Sequence, residues 1–483
     1  MNFASARELC LYLISSAFQR CRLSDDLCRL SVILKQSSPA SDHPVVQISI
    51  SDTGIGSCLD DFRTLKFSGE SVGNDEQWDG VISVTNTSVS DNEIYHYQLN
   101  LKERDSARRL TMLPSNSKNG VKFSGTEVCL SIFISINVLR GEINRFFQKI
   151  LILKIPSVAI ELVTEYGSLL GSKVENLFLA NSFNPLPFSA SNLERLKSGL
   201  EDYVLKHGNV LNKQCDLCFQ SLENLKIGSG TASHAERNGN GGLVMEVVII
   251  LSEISERTST CFTSCSARTE VLYFRDFSTC SISQSSLKAL TSIDWRSYGL
   301  TLESVKDQGG YVEIEWENLP PHTRIDIVLH AYPKQYPTVI IPSRRPKVQT
   351  DGNLIKKAVK LALDDLRNKH AGVLLSAHSL KIRSYAPDLA KTISGLILCS
   401  NDPDFQHECF SLLGLQSQGV ESEIVEASIK EKLLVVIDMN NRKPQKSKEV
   451  APFLFEDDHF NEPGFQDEEC EGEDAFSATP MDI

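Results

Sequence analysis

No apolar run in these 483 residues reaches the roughly 18–20 that a membrane-spanning helix needs, so no membrane partner is expected. A disulfide framework is equally absent. The thirteen cysteines are odd in number and scattered, several inside apolar runs such as Leu9-Cys10-Leu11 and Val128-Cys129-Leu130. That usage points to reduced, buried thiols of a nuclear or cytosolic protein. Cys215-x-x-Cys218 has no second pair at zinc-ligand spacing, which leaves a structural zinc without support and the metal count at none. Positive charge is missing from the C-terminal end: residues 451–483 hold eleven Asp and Glu and no Lys or Arg. Without that stretch the net charge of −13 falls to −2, so the body is near-neutral and the acidity belongs to a tail expected to be disordered. The run Leu9–Phe18 has the length of a signal-peptide core, but Glu8 precedes it and no basic leader or small-x-small site flanks it. It reads as a buried helix.

What is present is an ordinary globular composition, 41% hydrophobic and 23% charged, on a chain long enough for two or three cores. One stretch organises the rest. Val46, Ile48 and Ile50 alternate with polar residues, as in a strand with one buried face. It runs into Asp52-Thr53-Gly54-Ile55-Gly56, where two glycines allow positive φ and close approach to a ligand, or else simply end the strand in a turn. Before it, residues 5–35 read as helical, with a break around Arg22–Asp26. After it, Val81–Val84 and Ile94–Leu101 read as strands, and Gly125-Thr126 enters another. Ile143–Ile150 reads as a helix, Ala159–Thr164 as a strand, residues 190–206 as a helix, and Gly228–Gly242 as a flexible linker. A strand with both faces buried, Leu243–Leu251, opens a second region. Thr269–Phe274, a helix over Ser281–Ile293, Tyr311–Trp316 and Arg324–Ala331 then suggest a right-handed β-α-β unit. Asn353–Lys369 is an amphipathic helix, and Gly372–Leu415 is unusually apolar for its position.

The pair Asp52-x-Gly54-x-Gly56 and Gly125-Thr126 resembles the nucleotide pocket of the GHKL family (gyrase, heat-shock chaperones, histidine kinases, MutL). The resemblance implies a Bergerat-type α/β sandwich that binds ATP and magnesium. Asp52 would read the adenine amino group, with Gly54 and Gly56 shaping the turn and Thr126 backing the carboxylate. Two departures argue against both cofactors. The helix face Tyr12–Gln19 has neither the Glu that activates water nor the Asn that holds magnesium, and the Ser16 hydroxyl is a poor base. Glu8 is followed one turn later by Tyr12. The segment Asp60–Gly80, at the lid position, offers only Gly69, Gly73 and Gly80, with Glu70, Asp75, Glu76 and Asp79 set against a triphosphate. It reads equally as a surface loop.

Trp295-Arg296-Ser297-Tyr298-Gly299-Leu300, after a helix within a strand–helix–strand order, resembles the transducer domain of the B-type subunits of topoisomerase VI. A GHKL domain without its catalytic box, followed by this transducer, resembles the meiotic topoisomerase VI B-like proteins, plant type in particular, over residues 1–415. One feature departs: the archaeal helix-two-turns-helix insert has no room here. The implied fold is α+β: a GHKL-like domain over 1–170, a connecting helix and linker over 171–240 and a transducer over 241–350. A stalk and partner-binding helices follow over 351–440, then a basic run and acidic tail over 441–483. The implied role is that of a non-catalytic B-type subunit supporting A-like subunits that cut DNA in meiosis, a homodimer within a heterotetramer that meets DNA through the complex. A working ATPase driving strand passage, and a GHKL-like scaffold with no DNA role, are the alternatives. Nothing in the chain could cut DNA by itself.

Lys334 stands where such transducers carry a switch lysine, or is a solvated loop residue. Arg344, Arg345 and Lys347 form a basic point that could touch phosphates or solvent alike. Leu389, Ile393, Leu396, Phe405, Phe410 and Leu413 are the candidates for docking the A-type partner, packing back onto the transducer being the other reading. Arg442–Lys448 resembles a nuclear import signal.

Overall fold

The computed structural model describes residues 2–36, 45–68, 78–103, 106–166, 173–179, 185–207, 225–234, 242–253, 268–307, 312–317, 319, 323–334, 352–370, 372–415 and 421–442. Cys215 and Cys218, lid residues 69–77, the basic residues at 344–347 and 443–448, and the acidic tail lie outside them. In chain order the first half runs β1 (Asn2–Phe3), α1 (Ala6–Arg22), β2 (Cys28–Gln36), β3 (Val45–Asp52), α2 (Leu59–Arg63), β4 (Lys66–Phe67), β5 (Trp78–Thr87), β6 (Glu93–Asn100), α3 (Ser106–Arg109), β7 (Leu110–Ser117), β8 (Gly125–Phe133), α4 (Ile136–Ile150), β9 (Val158–Glu165) and β10 (Lys173–Leu179). The second runs α5 (Asn192–His207), β11 (Leu225–His234), β12 (Leu243–Glu253), β13 (Arg268–Arg275), β14 (Ser278–Thr279), α6 (Gln284–Thr291), β15 (Leu302–Asp307), β16 (Val312–Trp316), β17 (Thr323–Pro333), α7 (Gly352–Lys369), α8 (Ala377–Leu398), α9 (Pro403–Leu413) and α10 (Ser422–Arg442). The chain is α+β, as expected.

The first sheet has the order β10-β9-β2-β3-β8-β5-β6-β7, antiparallel except where β2 meets β9. It reaches Leu179, past residue 170. Val46, Ile48, Ile50 and Asp52 of β3 point inward, while Gln47 is exposed. The buried faces of α1 and α4 cover that side, giving the two-layer sandwich expected of this half. α1 starts because Ser5 Oγ accepts the Glu8 N–H (3.1 Å) and the Glu8 carboxylate accepts the Ala4 N–H (3.0 Å). The expected helix over 5–35 is corrected beyond Arg22: Cys28–Gln36 is a strand. Leu30 and Leu34 are four apart, a spacing that suits both a helix and a strand face. The β-branched Val32 and Ile33 between them, and Leu27 left 79% exposed, mark the strand.

The second sheet has the order β11-β12-β17-β13-β16-β15, with β14 hooked onto β13. β13 and β17 are parallel neighbours, and α6 lies in their crossover. The β-α-β layer is therefore present, with a hairpin, β15–β16, returned to the far side of β13. β12 is buried on both faces, as its unbroken apolar run requires. Val248 and Ile250, with Leu272, Phe274 and Val328, join the core of the first sheet, and Val247 and Ile249 join a second core under α6 and α7. Trp295 is buried there, its indole N–H donating to Leu290 O (2.9 Å) and its ring edge-on to Trp316. Tyr298 O–H donates to Asp364 of α7 (2.8 Å).

The expected linker Gly228–Gly242 is also corrected. Its first part belongs to β11, and α7 lies across it so closely that a Cβ at Gly228 would collide with Ala362 O, and one at Gly230 with Ala358 O. The glycines admit a helix backbone, which is a packing role and not a linker role. Beyond α7, helices α8, α9 and α10 share a small core of Ala390, Ile397, Phe410, Val425 and Ile429.

Charges are buried where the two halves meet. Glu270 of β13 lies 3.7 Å from Arg324 and 4.0 Å from Lys149 of α4, and Arg324 pairs with Asp326 at 2.6 Å. Burial pushes the Glu270 carboxyl up to about 7, with Lys149 pulling the other way. A raised acid favours the folded state when protonated, so this contribution is complete at low pH and is lost as pH climbs toward 7. Glu270→Gln is expected to match the wild type in stability near pH 4.5. It should then gain between pH 5 and 7, by about 3 kcal/mol at most, and level off above; melting temperatures across that range check it. Gly228→Ala is expected to cost about 1–3 kcal/mol by overpacking, measured by urea unfolding.

Candidate functional site

Strand register places Asp52 opposite Thr126 and Thr126 opposite Asn86, one row across β3, β8 and β5. Directly opposed residues of antiparallel strands share a face, and all three are buried under the α1 layer. The expected pairing of Asp52 with Thr126 is therefore met, on neighbouring strands of one sheet.

What covers the row comes from the chain itself. Arg20 of α1 donates from Nε (2.9 Å) and Nη2 (2.7 Å) to Asp52 Oδ2, and the Gly54 N–H donates to Oδ1 (3.1 Å). Burial pushes the Asp52 carboxyl upward, and the Arg20 charge and hydrogen bonds oppose it. Two N–H donors on one oxygen hold the group as a carboxylate. Thr126 O–H lies 2.9 Å from Asn86 Oδ1, which also accepts the Ser57 N–H (2.8 Å) and hydroxyl (2.9 Å). Asn86 Nδ2 donates back to Ser57 O (2.7 Å). Ser57 directly follows the glycine turn, so this ring of bonds clamps the turn to β5.

The glycines themselves approach protein, not ligand. A Cβ at Gly54 would strike the backbone of Arg20 and Cys21, and the Ile55 N–H donates to Arg20 O (3.4 Å). Gly56 has φ +84°, and a Cβ there would lie 2.6 Å from Thr87 O. The turn is folded onto α1 on one side and β5 on the other. The position from which an amino group would approach Asp52 is filled by the Arg20 guanidinium. These residues therefore do not fit a nucleotide as they stand.

An open cleft of about 700 Å³ lies beyond the row, with Asp25, Asp26, Ile55, Asp91 and Lys122 in its walls. Lys118, also in the wall, is buried and donates to Ser88 O (2.6 Å) and Phe123 O (2.7 Å), bracing two loops. Three carboxylates here disfavour a triphosphate. Glu8, the carboxylate on α1, serves the helix cap. Lys334 is exposed at the end of β17, its backbone N–H donating to Gly242 O (2.6 Å). No described hydrogen bond or ion pair brings its side chain to Asp52.

The partner candidates divide in two. Leu389, Leu396 and Phe405 are exposed, whereas Phe410 is buried and Ile393 and Leu413 pack against the core of α8–α10.

Arg20, Asn86 and Ser57 escaped the sequence reading. Arg20 did leave a signal: it continues the buried stripe Leu13, Ala17, Arg20 of α1, and an arginine on an apolar helix face needs a buried acid. Which acid is set by the packing of α1 on β3. Arg20→Ala is expected to strand the Asp52 charge and cost about 3–5 kcal/mol, while Arg20→Met with Asp52→Leu recovers most of the loss. Urea unfolding of the single and double variants checks this.

Comparisons with known proteins bear on the chain as a whole. No curated protein matches it significantly. Among solved structures it is similar to the 43K ATPase domain of Thermus thermophilus gyrase B, at 10% identity and a TM-score of 0.34 over 74% of this chain and 82% of that one. It is also similar to the ATPase region of Saccharomyces cerevisiae topoisomerase II, at 10% identity and a TM-score of 0.28 over 74% and 83%. Two family models match: the MTOPVIB middle domain over residues 193–370 and the meiotic topoisomerase VIB-like C-terminal domain over residues 378–442. Only residues 371–377 separate them, and together they take in half of the chain, which accordingly belongs to the meiotic topoisomerase VIB-like family.

Proposed function

We propose that this chain is a nuclear B-type subunit that holds A-type, DNA-cleaving subunits of a topoisomerase VI-like complex during meiotic double-strand break formation. It acts by position and not by chemistry of its own. Family membership supports the class of complex. One observation carries the holding role: Ile382, Tyr385, Leu389 and Leu396 of α8 are 42%, 58%, 48% and 68% exposed. Their spacings of three, four and seven residues make one apolar seam along the helix, the pattern that takes a second helix. The adjacent face of α8, with Ala390 and Ile397 about a quarter-turn round from the seam, is already packed on its neighbours. The seam lies in the segment after α7 where a partner was expected, and Phe405 of α9, 45% exposed, is a further apolar residue open there.

The sealed Asp52 row supports a role without ATP hydrolysis, since the site offers neither a water-activating base nor room at the carboxylate. Dimerisation within a heterotetramer and contact with DNA through the complex complete the reading. Tyr385→Asp with Leu389→Asp and Leu396→Asp is expected to abolish co-purification with an A-type subunit while leaving the melting temperature of the isolated chain within about 2 °C, since surface changes cost little. Retained co-purification would refute the seam.

A further inference from the structure

The polar face of α1 is held by the second sheet. Ser15, Gln19 and Arg22 stand at i, i+4 and i+7, along one side of the helix. All three meet the tight turn that joins β13 to β14. Ser15 Oγ donates to Ser278 Oγ (3.1 Å), and Gln19 Nε2 donates to Asp276 O and Ser278 Oγ (3.0 Å each). Arg22 Nη2 lies 3.7 Å from the Asp276 carboxylate, and its guanidinium sits 4.3 Å over the Phe277 ring.

The turn is built for this contact. Asp276 and Phe277 both have positive φ, 47° and 62°, the left-handed region that two-residue hairpins need and usually fill with Asn or Gly. A phenylalanine persists there only when its surroundings over-determine it. They do: Phe277 is buried against His330 (4.5 Å) and Tyr332 (5.7 Å) and joins the core of the first sheet. On its other side α1 is fixed by Arg20 to Asp52. The helix is thus held at both faces, one by each sheet, and Lys149 of α4 reaches Glu270 of β13 alongside.

We propose that α1 is a permanent bolt between the two sheets. It fixes the second sheet, and with it α7, in one orientation without any ligand, in place of a hinge that a ligand would drive. This holds whether or not the chain carries an A-type subunit. The test joins the two halves covalently in the full chain with Ser15→Cys and Ser278→Cys. Mild oxidation without nucleotide is expected to link the thiols introduced at positions 15 and 278 in most molecules, read by mass spectrometry of the linked peptides. Adding magnesium and a non-hydrolysable ATP analogue should change the yield less than twofold. A link in under a tenth of molecules, or a yield that nucleotide raises several-fold, would overturn the proposal. A second measurement avoids dependence on disulfide geometry. In Gln19→Ala with Arg22→Ala, amide exchange over 273–280 should speed at least tenfold while that of α7 is unchanged. An unchanged rate at the turn overturns the bolt.

Discussion

A guanidinium lying 2.7 Å from a buried carboxylate governs how the first half of this protein is put together. Removing two charges from water carries a large desolvation cost, which close geometry and full hydrogen bonding must offset. Asp52 meets that condition only if α1 lies where Arg20 can present two donors to one oxygen and the glycine turn can present a third to the other. The pair therefore sets the seat of α1 on β3. It also sets the path of Gly54–Gly56, which must pass against the backbone of Arg20. A pocket whose carboxylate is satisfied from within has no electrostatic demand left for a ligand.

The same helix places the rest. Its apolar stripe fills the first core, and its polar stripe receives the β13–β14 turn. The second sheet sits between two apolar layers, one shared with the first sheet and one beneath α6 and α7. A sheet covered on both faces has little freedom to slide, because interiors are close-packed and small displacements open voids. One buried charge pair crosses the seam, Lys149 of α4 lying 4.0 Å from Glu270 of β13, while Arg324 and Asp326 pair within β17 itself. The glycines of β11 let α7 lie almost on the strand backbone, so the stalk helix is seated as firmly as the sheet.

In this member of the meiotic topoisomerase VIB-like family the two sheets and α7 form one packed frame. Rigid packing runs from α1 through the second sheet to α7, and the apolar seam on α8 follows directly after. A fixed frame ending in an exposed apolar seam is what the proposed holding role calls for, since a preorganised surface loses less entropy on binding.

Much of this was legible along the chain. The alternation in Val46–Ile50, the Asp52–Thr126 pair, the doubly buried β12, the amphipathic α7 and the place of Trp295 all follow from local patterning, because burial imposes periods of 2 and 3.6 on the residues that undergo it. Local patterning failed where one spacing served two periods, as at Leu30 and Leu34, and where glycine marked close approach of a helix and not a linker, as at Gly228 and Gly230. The absence of the Glu and Asn of a hydrolytic site was also a property of sequence alone. What only the tertiary structure decided is that the pocket is closed: Arg20 and Asp52 are 32 residues apart, and Ser15 and Ser278 are 263 apart. Pairings at such separations depend on how helices and sheets pack in three dimensions, and no period along the chain encodes them.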